Sequence, residues 1–182
     1  MANNEMKTLF SQLDELLKDV DLTDVTAEGS GFPDLPDGYY NGEVEKAELK
    51  VSKSSNNLMA SFQFKITEDG YAVEIDDKGN VNLVQLKKTK GRKIYIHYVL
   101  KNDTWVKRFV TDMLKFEGDV EGESFLPKEA FMSSETIEDA LDLLTGKRIY
   151  IQVSTTTNDD ESKSTWNNLI SWKRAKALEL PL

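Results

Sequence analysis

The chain has 182 residues, 39% hydrophobic and 30% charged, with a formal net charge of −9; that length suits one domain with its own core, or one domain with an arm. It has no cysteine and one histidine, which excludes disulfides, thiolate zinc sites, cysteine nucleophiles and multi-histidine metal centres. No apolar stretch approaches the roughly 20 residues that span a bilayer, and MANNEMKTLF lacks the basic start and apolar run of a secretory signal, so a soluble, cytoplasmic protein without membrane contact is expected.

In chain order, Met6, Leu9, Leu13, Leu16, Leu17 and Val20 fall at spacings of three and four, which predicts a short amphipathic helix over residues 5–20. The stretch DLTDVTAEGSGFPDLPDG (21–38) is dense in turn-forming residues and reads as a linker. Residues 1–37 carry nine acids against Lys7 and Lys18 alone, an acidic arm that either docks on the domain or meets a partner.

From Tyr39 the period becomes two. Tyr40, Gly42 and Val44 share one parity and Ala47, Leu49 and Val51 the other, which predicts one long strand with a bulge near Glu45–Lys46. After the turn SKSSNN, residues 58–66 alternate as a half-buried strand hairpin-paired to the first. Tyr71, Val73 and Ile75, the turn DDKGN, and Val81 with Leu83 suggest a smaller hairpin. Ile94, Ile96, Tyr98 and Leu100 mark the core face of the next strand, with Lys93, Tyr95, His97, Val99 and Lys101 opposite. Asn102 or Asp103 then caps a helix with apolar positions Trp105, Val106, Phe109, Val110, Met113 and Leu114, so Trp105 is expected in the core. A second helix starts at Ser133 or Ser134 and stops at Gly146. A strand over 148–153, a polar loop over 154–164 and a last strand around Trp166, Ile170 and Trp172 complete the pattern.

Five main strands with a helix between the third and fourth is the order of an OB-fold, a partly open Greek-key barrel. The expected class is therefore mainly β with α: an OB-fold-like five-stranded barrel with an inserted hairpin, one or two helices between strands three and four, and an N-terminal helix. The expected division is an arm over 1–37, the domain over 38–178 and a C-terminal tip over 179–182. A β-sandwich ranks second, since sandwiches usually lack that helix.

Enzymatic motifs are mostly missing. There is no phosphate-binding GxxxxGK[ST], no GxGxxG, and His97 has no partner that the sequence can place. Asp119, Glu121 and Glu123 miss calcium-loop spacing. Asp76–Asn80 reads as hairpin turn chemistry, and Asp159–Glu161 as a solvated loop tip. No cofactor or metal is expected.

A binding constellation is clearer. Residues 87–108 hold eight basic residues against Asp103, a net +7, while residues 117–142 hold nine acids against Lys128. An acidic protein can still bind a polyanion through the local field of a groove. Cations that track phosphates, interleaved with flat rings that stack on bases, suit single-stranded nucleic acid, and stacking is indifferent to base identity. The candidate binding residues are Lys50, Lys53, Lys65, Arg92, Lys93, Lys101, Arg148 and Lys163 for phosphates, with Tyr95, His97 and Tyr150 for bases. Trp166 is either a stacking residue or a barrel cap. Tyr95 and Tyr150 are equally accounted for as ordinary cross-strand residues, which Tyr favours.

The stretch LPDGYYNGEVEKAELKVSKSSNNLMASFQFKI (35–66) resembles the opening of phage-encoded single-stranded-DNA-binding proteins: a proline-glycine-tyrosine lead, a Ser-Lys-Ser turn and a strand ending Phe-x-Ile. LTGKRIYIQV (144–153) resembles that family's strand opening, and TWNNLISWKRA (165–175) is compatible with its last strand. The resemblance implies an OB-fold that binds single-stranded DNA without strong sequence preference in phage or prophage replication and recombination. The acidic segment is N-terminal here, where bacterial housekeeping relatives carry a C-terminal acidic tail. The reading is thus a non-catalytic single-stranded-DNA-binding protein whose N-terminal helix meets replication or recombination proteins, self-association being left open. The rivals are a β-barrel interaction or phage structural module, and then a nuclease, which needs a carboxylate cluster the sequence does not assemble.

Overall fold

A computed structural model describes residues 34–52 and 56–181. The chain divides into two units between Asp34 and Leu35, and the elements below belong to the second. The helix expected over 5–20, most of the acidic arm and Lys53 lie outside the described residues.

Among the described residues the fold is mainly β: seven strands in one antiparallel sheet, with three helices. The strands are β1 (Gly38–Val51), β2 (Leu58–Ile66), β3 (Tyr71–Ile75), β4 (Val81–Gln85), β5 (Lys93–Val99), β6 (Arg148–Thr157) and β7 (Lys163–Ile170). The helices are α1 (Asp103–Met113) and α2 (Ser134–Leu144), both between β5 and β6, and α3 (Trp172–Ala177) after β7. A short 3-10 turn, Lys128–Phe131, precedes α2.

The first strand organises the rest. Residues 42–51 of β1 pair with β2, while Gly38–Glu43 pair along the other edge with β6. The register slips between Val44 and Lys46, so Glu45 is the bulged residue. That single extra residue lets both Val44 and Ala47 face the core despite their odd spacing. Close approach demands the glycine at position 42, where a Cβ would sit 2.8 Å from Ile151 Cδ1. From β1 the path runs through β2 to β5 on one side, and through β6 to β7 on the other. β5 and β7 therefore run in the same direction, each with one paired edge.

The core lies between the inner sheet face and the two long helices. Phe62, Phe64, Ile94, Ile96 and Tyr98 meet Phe109 and Met113 of α1 and Leu141 and Leu144 of α2. Rings continue from sheet to helix, with Phe62 edge-on to Tyr98 at 5.9 Å and Tyr98 to Phe109 at 5.5 Å. Both helix starts follow the sequence signals: Asn102 caps α1 through Trp105 N–H, and Ser133 forms a capping box with Thr136.

The C-terminal third departs from expectation. The residues expected as a polar loop over 154–164 are strand as far as Thr157 and again from Lys163, with Thr155 opposite Thr165 and Thr156 opposite Ser164. The threonines suit a pleated surface better than their polarity suggests. Trp172, expected on the last strand, opens α3, which Ser171 caps. At the end of the domain and into the expected tip, Leu178 and Leu180 are buried with Ile170 and Tyr150 in a second, smaller cluster on the outer sheet face. At the other end Leu35 packs on the main core, and the Tyr40 hydroxyl donates to the Pro36 carbonyl. Burial pushes the Tyr40 phenol up to about 12, which keeps it protonated as that donor.

Candidate functional site

The outer face of β1, β2 and β5 is laid out by register. Lys46, Gln63 and Tyr95 form one cross-strand row, Glu48, Ser61 and His97 the next, and Glu43, Lys65 and Lys93 another. The alternation within β5 is as expected, with Ile94, Ile96 and Tyr98 buried and Tyr95 53% exposed.

This face is less basic than expected. Glu45 takes Lys93 at 3.0 Å and accepts from Gln63 Nε2 at 2.7 Å. Glu48 takes Lys46 at 2.6 Å and Lys50 at 3.5 Å, and Glu43 takes Arg148 at 3.1 Å. Gln63 and Lys93 hold the Glu45 carboxyl below its usual range, and Lys46 does so for Glu48. Exposed pairs of this kind are weak, yet a phosphate arriving here must displace a carboxylate. Lys65 is exposed in the same row as Lys93, and Lys163 is exposed at the start of β7. Arg92 is half-buried before β5 and already engaged.

His97 finds a partner that sequence spacing could not reveal, Ser61 Oγ at 3.0 Å from Nδ1 across the β2–β5 pair. Burial, with Lys50 nearby, lowers the imidazole from its usual range, so the ring is neutral at pH 7 and offers a flat face with a polar edge.

Tyr150 is not a stacking residue. It is 5% exposed, lies under the segment that follows β7, and donates its hydroxyl to the Pro181 carbonyl. Parity predicted the right face, but α3 and its tail cover that face at β6. Arg148 borders the hollow of about 190 Å³ beneath α3 rather than the face of β5.

The exposed rings gather where β5 and β7 run side by side without a ladder. There Asn167 Nδ2 donates to the Tyr95 carbonyl at 3.3 Å, a side chain bridging the two strands. A groove of about 230 Å³ opens along this seam, with Tyr95, Trp105, Trp166 and Arg108 on its walls. Trp166 is 52% exposed, and its indole N–H donates to Thr156 Oγ1 at 3.2 Å. It is therefore a surface ring of fixed orientation rather than a buried plug.

Trp105 corrects the sequence reading. It lies on the same helical stripe as Phe109 and Met113, which are fully buried, yet it is 37% exposed. The first turn of α1 lies at the mouth of the seam, where the stripe has a groove beside it instead of a covering strand. Lys101 Nζ and Arg108 Cζ sit 5.6 and 5.8 Å from its ring centroid. Part of the signal was present: Arg108 stands three after Trp105 and so shares its helical face, while Lys101 lies just before the N-cap Asn102. Of the expected binding residues, the structure brings Tyr95, His97, Lys101 and Trp166 together and adds Trp105, Arg108 and Asn167.

Several loop acids have partners. Asp76 accepts from its own turn at Lys78 N and Asn80 N, Asp160 from Ser162, and Glu121 pairs with Lys176 at 2.6 Å. Among the described residues no helix is long and apolar enough to cross a membrane.

The architecture and site define a class: an antiparallel β-protein with an open seam, whose walls carry exposed rings and cations. Residues 20–179 match the model of the family described as "Protein of unknown function (DUF669)", and the chain belongs to that family. A search of curated proteins gave no match.

Proposed function

We propose that this protein binds single-stranded DNA with little sequence preference, without catalysis, as part of phage or prophage DNA replication or recombination. The observation that carries the reading is the seam groove: Tyr95, Trp105 and Trp166 present ring surface to solvent beside Lys101 and Arg108. Large exposed rings clustered at a groove are uncommon unless they meet something, and rings with cations match what an unpaired strand offers. The phage setting rests on the resemblance of residues 35–66 and 144–153.

The strand connections support an OB-type barrel. β2 and β5 on one side and β6 and β7 on the other are joined through the bulged β1, with helices between β5 and β6. This order supports a five-stranded Greek-key barrel, in which β3–β4 would be an inserted hairpin. In this reading the β5–β7 seam is the barrel's partly open closure, and the DNA track runs along it rather than across the ion-paired face of β1 and β2.

Titration with oligo-dT, followed by quenching of tryptophan fluorescence, tests the proposal. Saturable quenching is expected, with little response to a duplex of the same length. Trp105→Ala and Trp166→Ala should each weaken binding about 10- to 100-fold, the value of one stacked base. Absence of binding at low salt would overturn the reading. An interaction module is the second reading, favoured by Met132 just before the acidic α2 and Leu143 within it, which are 81% and 59% exposed.

A further inference from the structure

We infer that two copies of this chain pair edge to edge through β4, antiparallel about a two-fold axis at Leu83, in a reversible dimer. β4 ends the strand path opposite β5, and none of its residues lines the seam groove. Such a dimer therefore stands or falls apart from the single-strand reading above.

The two ends of the hairpin fix which backbone groups of β4 face outward. Asp76 N–H donates to the Asn80 carbonyl at 3.0 Å, and Leu86 N–H to the Gly70 carbonyl at 2.8 Å. Between them Asn82 stands opposite Glu74 and Val84 opposite Ala72. Alternation along an antiparallel ladder makes Asn82 and Val84 the residues bonded to β3, and turns the N–H and C=O of Val81, Leu83 and Gln85 away from it. Among the described residues β4 pairs with β3 alone, so this row of donors and acceptors has no strand beside it. Native edges are guarded by lysine, proline or a bulge. β4 has none of these, and residues 79–86, GNVNLVQL, carry no charge.

This edge complements itself. In antiparallel register about Leu83, the two Leu83 residues exchange both backbone bonds, and Val81 of each copy exchanges both with Gln85 of the other. Leu83 packs against the cluster of Tyr150, Leu178 and Leu180, so the pairing joins two small apolar clusters across the axis. Charge fits the same register. Beyond the end of β4, Lys87 and Lys88 of one copy arrive beside the turn of the other, where Glu74, Asp76 and Asp77 stand with Lys78, all of them exposed. Parallel alignment would instead set lysine beside lysine and acid beside acid, which is unfavourable. Five residues from each copy make a small interface, so the association is weak and depends on concentration.

Sedimentation of the full chain, without DNA, over a concentration series from about 1 to 200 µM tests this. The mass should rise from that of one chain toward twice that value, with half-association at about 10–100 µM, as suits a small interface. Gln85 is exposed, and Gln85→Pro removes an outward N–H but no bond to β3. The variant should stay monomeric throughout, with the melting temperature of the unmodified chain at low concentration. Gln85→Lys keeps every backbone group and adds the charge that guards natural edges, and it should weaken the dimer about tenfold. It decides the matter if the proline variant melts early. A monomer at every concentration would overturn the inference and leave the edge for an extended segment of another protein. A dimer undiminished in either folded variant would overturn the assignment to β4. Growth beyond two copies would overturn the closed two-fold pairing.

Discussion

Tyr95 and Tyr98 stand three residues apart on β5 and meet opposite surroundings. Tyr98 is 4% exposed, and its hydroxyl donates to Asp112 Oδ2 at 2.9 Å. Asp112 is itself buried and takes Lys115 at 2.6 Å, which in turn reaches the Leu169 carbonyl at 2.8 Å. One polar chain therefore ties β5, α1 and β7 together. Burial, reinforced by Asp112, drives the Tyr98 phenol far above its ordinary range, so this donor stays protonated through neutral and mildly alkaline pH. A raised phenol contributes stability below its unfolded value of about 10 and loses that contribution as pH climbs above it. Tyr98→Phe should lower the urea unfolding free energy by about 1–3 kcal/mol, because a buried carboxylate loses a donor, while oligo-dT affinity is unaltered. Tyr95→Ala should do the reverse, weakening oligo-dT binding by about 1–3 kcal/mol at an unchanged unfolding midpoint. Exchange of the two phenotypes would show that the faces of β5 are reversed. Period-two alternation made this contrast legible in sequence, because adjacent strand residues must face apart. The same rule failed for Tyr150, since parity names a face and not what later covers it.

At the level of elements, local patterns foretold strands and caps, and contacts between distant segments decided the rest. The bulge at Glu45 was visible as a change of parity, and the caps at Asn102 and Ser133 as residue types before apolar runs. The fate of Trp105 was not visible, because an amphipathic stripe shows which side of a helix is apolar but not how far the underlying sheet extends. The role of the C-terminus was hidden for a related reason: ALELPL is too short to show a period, and its packing depends on a sheet face that only the fold creates. Leu178 and Leu180 there are 4% and 3% exposed. Leu180→Ala, close to the end of the chain, should cost about 2–4 kcal/mol, as for other buried leucines. Thermal melting measures the loss, and an unchanged melting temperature would show that this tail does not hold the sheet. Oligo-dT affinity well below the melting temperature should be unaffected, since the tail packs with β6 and β7 residues away from Trp105.

For the molecule as a whole, the distribution of charge matters more than its total. The run at 87–108 is strongly basic, but acids from β1 reach toward Lys46, Lys50, Lys93 and Arg148. Simple counting of lysines would predict four to six neutralised phosphates and a log–log salt slope of about −3 to −4. With those four cations already beside carboxylates, about three phosphate contacts and a slope near −2 are expected for oligo-dT. Titration across several salt concentrations measures the slope directly. A value steeper than about −3 would mean that the ion pairs open on binding and that the β1–β2 face joins the track.

The hairpin of β3 and β4 pairs with β1 at one position, Tyr39 with Tyr71, and lies at the far end of the strand path from β5. Its turn is closed by its own Asp76 bonds to Lys78, Gly79 and Asn80, and every residue from Glu74 to Asn80 is exposed. That makes the turn a natural grafting point, where a fluorophore or affinity handle can be carried with neither the core nor the seam disturbed.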